Sequence, residues 1–480
     1  MQQMNGRAFL RVSLLVVVAG WLAGCGDEIT TVFPAPVLPN GGFPPPPAPV
    51  LPPPQRIFLE NAQVKLGIDL NAGGAITYLT DGPTGENMVN NYDLGRQLQT
   101  SLYSGPVPYE VNGKKPHPSW PGLGWNPVQT GDVHNNPAQV VTHRKDSTNR
   151  LYVKTVPLIW PLLNEPADCQ MEHWLELKGN VVHVRSRTQL TRRDTAQYQA
   201  RTQEAPCVYL NGTHYRMVAY TGDKPFTNDA LFEFNTAHPI TDRYTTENWA
   251  ALVNKAGRGI GIYRRNEFRF ISAFFGATGI GGERDGDTGY LTAAPFNVMD
   301  HNTVYEFEYD IVVGSVEQIR QFAYTQQRPA TGPNFQFVTD RQGWHYANTR
   351  DAGWPIRNEL SVQWGRSDIT LDNFAVKSPK VFWRAADVKR LQFEAAFTTP
   401  ATTARLNWRK PGDVEFKTLT NPGFDFLIVG DGQFRTYTVD MTKVPGWEGI
   451  ITQIQLEATP GAPRPANERT GRLRLRRVTQ

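Results

Sequence analysis

The chain has 480 residues, enough for two or three domains with cores of their own. Lys and Arg number 49 against 45 acidic residues, a formal charge of +4, so no strong field points to nucleic acid as a partner. The twelve Trp serve chiefly core and strand packing, with a minority left for surface roles.

Residues 1–24 read as a targeting segment. Arg7 and Arg11 form a positive region, and the apolar run 14–19 is too short to span a bilayer. Leu22-Ala23-Gly24-Cys25 then resembles the bacterial lipoprotein cleavage box. Small residues at 23 and 24 suit a peptidase, and Cys25 offers the thiol that receives lipid. The alternative is an ordinary secretory signal with a chance cysteine. The resemblance implies a membrane partner through the lipid on Cys25, where several acyl chains make the anchor stable. Gly26 rather than Asp follows, which favours the outer membrane, on its periplasmic or surface face. Residues 25–54 are then an acylated terminus and a Pro-rich tether. Pro34, Pro36, Pro39, Pro49 and the Pro runs at 44–47 and 52–54 favour extended polyproline II, at roughly 3.1 Å per residue.

From Gln55 the pattern turns to strands. Val64, Leu66, Ile68 and Leu70 alternate, and Gly73-Gly74 marks a turn that needs positive φ. A second strand, an Asn-rich excursion and the step Gly95-Arg96 follow, with Tyr92 beside a dense group of donors. This Gly-Gly-x-Ile-x-x-Leu strand, Asn-rich segment and Gly-Arg step resemble the start of the galactose-mutarotase-like β-supersandwich fold. The match covers 63–99, and strand content extends it to about Tyr324. Aldose epimerases, domains of some glycoside hydrolases and polysaccharide lyases, and non-catalytic relatives share that fold. In the mutarotases the arginine of the Gly-Arg step contacts substrate hydroxyls. The resemblance therefore implies substrate contacts from Arg96, with Gln97 and Gln99. The alternative is an arginine that satisfies strand-end carbonyls. His134, His173, His183 and His214 do not sit in the family's His-containing strand motifs, which argues against epimerase activity.

The segment 103–125 holds Tyr103, Pro106, Pro108, Tyr109, His117, Trp120 and Trp125 among several glycines. Such content suits a binding rim in which Trp120 and Trp125 stack on a ligand, or else a plug at one end of a sandwich. Met171, His173, Leu175 and Leu177 alternate with Glu172, Trp174 and Glu176. A turn at 178–180 sends the chain back through Val182, Val184, Thr188 and Leu190. Glu172 and Trp174 share one face, and His173 takes the other. Export places Cys169 and Cys207 in an oxidising compartment, where they either pair as a disulfide or stand as two small buried hydrophobes. Glu204, in Gln203-Glu204-Ala205-Pro206 with Tyr209 and His214 nearby, reads as a carboxylate in a polar loop before an apolar strand. It is the candidate catalytic acid or base, against a solvated loop glutamate. Further alternation at 249–253, 259–263 and 305–311 continues the strands. One helix is expected where Ser315 and Gln318 make a capping box, with Ile319, Phe322 and Ala323 on one face. Arg328-Pro329 and Thr331-Gly332-Pro333 place a domain boundary after it.

Residues 334–480 read as a second all-β domain, with Trp344, Trp354, Trp364, Trp383 and Trp408 among short strands. The order Asp-Gly-x-Phe-x-x-Tyr, Trp-x-Gly and Ile-x-x-Ile-x-Leu before a last strand resembles carbohydrate-binding, galactose-binding-like jelly rolls.

The fold expected is all-β: an antiparallel supersandwich over 55–328 and a smaller β-sandwich or jelly roll over 334–480. The function expected is carbohydrate binding by an exported lipoprotein. An active hydrolase or lyase and a structural lipoprotein that binds another protein are the alternatives. No phosphate loop, nucleotide fingerprint, zinc spacing or nucleophile elbow is present, so neither cofactor nor metal is expected.

Overall fold

Of the 480 residues, the computed structural model describes 50–194, 196–235, 240–299, 301–347, 350–351, 355–364, 375–413, 416, 423–457 and 471–480. The targeting segment, Cys25, most of the Pro-rich stretch and Trp354 lie outside the described residues. The architecture is all-β, and its strand pairs are antiparallel. Among the described residues no helix is long and apolar enough to cross a membrane.

Val64–Asp69 and Ala75–Asp81 pair as the alternation requires, with Arg56–Glu60 alongside. Gly73 and Gly74 turn the chain at φ 57° and 68°. A Cβ on Gly73 would lie 1.8 Å from the Gln129 carbonyl oxygen, so the turn needs glycine for space as well as for conformation.

Two large sheets follow. The nine-stranded sheet centres on Val304–Ser315, Val181–Leu190 and Cys169–Lys178. The seven-stranded sheet centres on Thr288–Ala293, Glu204–Asn211 and Gln99–Ser101. Val182, Val184 and Ile311 of the first join Ala205, Val208, Leu210 and Leu291 of the second in one core. In Cys169–Lys178 burial alternates residue by residue, with Met171, His173, Leu175 and Leu177 turned inward. Glu172 lies on the outer face, where it accepts from Tyr152 Oη at 2.6 Å and Arg187 at 2.9 Å. Trp174 is covered there by Arg185, 4.8 Å from its ring. Glu172 and Trp174 thus brace a sheet surface.

Two further features meet expectation. Ser315 and Gln318 cap Val316–Thr325 reciprocally, and Ile319 and Ala323 bury against Trp249 and Val312. Periodicity did not reveal Arg320, which reaches buried Glu247 through two bonds of 3.0 and 2.9 Å.

The disulfide alternative is corrected. Cys169 and Cys207 are both free and buried. Cys169 belongs to the nine-stranded sheet and Cys207 to the seven-stranded one. Cys169 packs with Leu102, Trp125 and Leu190, and Cys207 packs in a separate cluster with Ile271, Ala273 and Tyr290, so the two thiols do not meet. Each thiol is a small apolar filler, held protonated by burial.

Strands from 334 onward form a sheet around Gly471–Thr479 and Arg390–Thr398, and a second around Gln453–Glu457 and Thr403–Arg409. Among the described residues no sheet mixes strands from before 328 with strands from after 334. Trp344, Trp383 and Trp408 are fully buried in the core between these sheets. These three of the recurring tryptophans are therefore packing residues.

Candidate functional site

Glu204 is the first residue of Glu204–Asn211, a strand inside the seven-stranded sheet and not a polar loop. Register shifts against Gln99–Ser101 between Glu204 and Cys207: Glu204 faces Ser101, and Cys207 faces Gln99. Three steps on one strand oppose two on the other, the signature of a β-bulge. Strict alternation would put Glu204 and Cys207 on opposite faces. The extra residue lets Ala205, Val208 and Leu210 point into the core, while Glu204 and Tyr209 point to the far face of the sheet.

On that face lies a cavity of about 90 Å³. Its floor is polar: Gln99, Ser101, Asn126 and Glu204 are all buried. Its walls are half-buried aromatics, Trp120, Trp160, Tyr209 and Phe275. Trp120 and Trp160 meet edge to face at 6.3 Å. The polar floor is fixed in place. Asn126 donates to Ser101 Oγ at 3.0 Å and to the Leu102 carbonyl at 2.9 Å. Gln99 Oε1 accepts from Thr130 N at 3.1 Å and Thr130 Oγ1 at 2.6 Å.

Glu204 is gripped by two phenols. Tyr103 Oη donates to Oε2 at 2.8 Å, and Tyr290 Oη donates to Oε1 at 2.5 Å. Burial raises the carboxyl's pKa above the usual carboxylate range, although both hydrogen bonds oppose it. The same burial, with Glu204 close by, holds the Tyr103, Tyr209 and Tyr290 phenols protonated. A carboxyl so placed can exchange a proton nearer neutral pH than an exposed one. Among the described residues it is the only acidic side chain lining the cavity, and neither Lys nor Arg lines it.

The expected site residues divide. Gln99, Trp120 and Glu204 come together in the cavity, joined by Tyr209. Arg96 does not. Its guanidinium donates to the Gly286 carbonyl at 2.7 Å, pairs with Asp93 at 3.3 Å and lies 4.5 Å from the Tyr92 ring. Only 6 % of Arg96 is exposed, so the arginine that satisfies carbonyls is the one observed. Gln97 donates back to the Asp93 carbonyl at 2.6 Å and lines a separate small hollow near Leu51. Trp125 is fully buried in a core cluster, its Nε1 donating to Asp168 at 2.8 Å, and offers no face for stacking. His214 is buried away from the cavity, and burial lowers its pKa to about 4. Tyr290, Ser101, Asn126 and Trp160 were missed. Nothing local marked Tyr290: it lies in the apolar strand Thr288–Ala293, and strand pairing sets it opposite Tyr209.

No family model matches the chain, and no curated protein matches it. Solved structures similar to it include a galactose mutarotase related enzyme from Lactobacillus acidophilus, at 9% identity and TM-score 0.35, covering 54% of this chain and 98% of that one. A galactose mutarotase-like protein from Lactobacillus casei is similar at 11% identity and TM-score 0.34, covering 54% of this chain and 100% of that one. An alpha-galactosidase from Lactobacillus brevis is similar at 8% identity and TM-score 0.35, covering 57% and 42% of the respective chains.

Proposed function

We propose that this protein binds carbohydrate, and that the Glu204 cavity takes one neutral sugar residue. The observation that carries the reading is the cavity's composition: a buried polar floor of Gln99, Ser101, Asn126 and Glu204 under half-buried aromatic walls. Hydroxyls need paired donors and acceptors, and the C–H faces of a sugar ring need flat apolar partners. Among the described residues no Lys or Arg lines the cavity, which favours an uncharged ligand. A volume of about 90 Å³ is below the roughly 150 Å³ of a cavity that encloses benzene, so the cavity takes one edge or face of a single sugar ring, with the rest of the ring outside it.

Glu204 supports a second reading, proton transfer on the bound sugar. Hydrolysis by two carboxyls roughly 5–9.5 Å apart has no second carboxyl among the cavity's lining residues. Binding is therefore the primary reading. It is tested by titrating neutral monosaccharides into wild type and Trp120→Ala, with product analysis of each mixture. Saturable binding lost in Trp120→Ala, with the sugar recovered unchanged, supports it. Converted sugar, lost in Glu204→Gln, supports the second reading instead.

The sequence around Cys25 supports an exported, lipid-anchored protein of the bacterial envelope. Cys25→Ser should move the protein from the membrane fraction to the soluble one. Equal membrane recovery of both forms would refute the anchor.

A further inference from the structure

A second, larger cavity of about 580 Å³ lies where residues 264–306 face residues 329–345 and 379–383. It shares no lining residue with the Glu204 cavity. Its size falls in the range of sites that take drug-sized ligands, roughly 300–1,000 Å³. Its walls carry half-buried aromatics from both halves of the chain: Phe296 and Tyr305 from one, Phe335 and Phe382 from the other.

Charge separates this cavity from the first. Five lining side chains are Arg or Lys and three are Asp or Glu. Glu306 is held from outside by Arg185 at 2.5 Å, and Arg269 by Asp242 at 2.7 Å. Glu267 turns Oε1 to the amides of Phe268 and Arg269, and its burial raises its pKa. Arg265 is exposed on the wall, with neither a hydrogen-bond nor an ion-pair partner among the described residues. An unpaired guanidinium can grip a carboxylate through two parallel bonds.

We propose that this cavity binds a short acidic oligosaccharide, a chain of uronic-acid type, with Arg265 on a ring carboxylate and the aromatics against the ring faces. Apolar C–H ring faces and regularly spaced carboxylates match aromatic walls with more Arg and Lys than Asp and Glu. A flexible acidic peptide supplies the charge and lacks the rings. The inference does not rest on the Glu204 reading.

The test is calorimetric titration of the full chain with trigalacturonate and, separately, a neutral galactose trisaccharide. Wild type should bind trigalacturonate, more weakly as salt rises, and in preference to the neutral trisaccharide. Arg265→Glu should weaken it by roughly tenfold or more, as expected for a lost charged hydrogen bond. Phe335→Ala should weaken it without changing the salt response. Trp120→Ala should leave it unchanged, which separates this cavity from the Glu204 one. The proposal is overturned if wild type does not bind trigalacturonate or Arg265→Glu binds it as tightly. Equal competition by an oligoglutamate of the same charge would also overturn it.

Discussion

Tyr290 Oη lies 2.5 Å from Glu204 Oε1, although the two residues are 86 apart in the chain. Antiparallel pairing of their strands sets Tyr209 opposite Tyr290, and the bulge turns Glu204 to the same face. Replacing Glu204 by Ala leaves the buried Tyr290 hydroxyl without its acceptor. We predict a loss of about 1–3 kcal/mol for Glu204→Ala, read as a lower urea midpoint with unchanged slope. Glu204→Gln is nearly isosteric with the protonated acid, so its midpoint should stay close to wild type at low pH. Equal midpoints for Glu204→Ala and wild type would show that the phenol grip adds nothing.

That carboxyl also gives a pH signature. Its pKa is raised in the folded state. Its contribution to stability is therefore full below the unfolded value, roughly 4.3, and is lost as pH rises through the folded value. Glu204→Gln should gain stability relative to wild type as pH rises over that interval. A difference independent of pH would place the folded value at the unfolded one.

Two buried histidines act in the opposite sense. His173 faces the core with both ring nitrogens buried and unpartnered among the described residues. Burial depresses His173 and His214 to about 4. Unfolded, they take up protons near pH 6.5, roughly the free imidazole value. Their stability contribution is thus full above about 6.5 and lost as pH falls toward 4. We predict that the urea midpoint falls steeply across this window, and that His173→Gln falls less steeply. An unchanged slope in that variant would remove His173 from the account.

The cysteines make a simple chemical prediction. Native Cys25→Ser protein should be inert to a thiol reagent, because both remaining thiols are buried and protonated. Unfolding without reductant should release both Cys169 and Cys207 for alkylation. Protection of the pair after unfolding would reinstate a disulfide.

Arg96 tests the corrected assignment. It joins the Gly286 carbonyl, Asp93 and Tyr92 and does not line the Glu204 cavity. Arg96→Ala should cost about 1.5–3 kcal/mol of stability and leave sugar affinity near wild type where the protein is folded. A large loss of affinity at unchanged stability would return Arg96 to the site.

Strands were legible because one buried face imposes a period of two, as in Cys169–Lys178 and Val181–Leu190. The helix was legible because its cap is local. The site was legible only in part. Glu204 stands out as a carboxyl ahead of an apolar run. Its strand position depends on a bulge, which composition does not announce. Trp120 and Trp125 are alike in sequence, yet Asp168, 43 residues beyond Trp125, gives its indole nitrogen a buried partner. Arg96 was misread for the same reason: Gly286, which accepts from its guanidinium, lies 190 residues away. Tyr290 joins Glu204 only through strand order.

The central claim is that the Glu204 cavity holds a neutral sugar against Trp120. Its most direct test is saturation-transfer NMR of the full chain with a panel of neutral monosaccharides, repeated on Trp120→Ala. The account predicts transfer to the ring protons of at least one sugar, and an affinity reduced roughly tenfold in the variant, as expected for one lost apolar face. No transfer from any sugar, or equal transfer in Trp120→Ala, would contradict it.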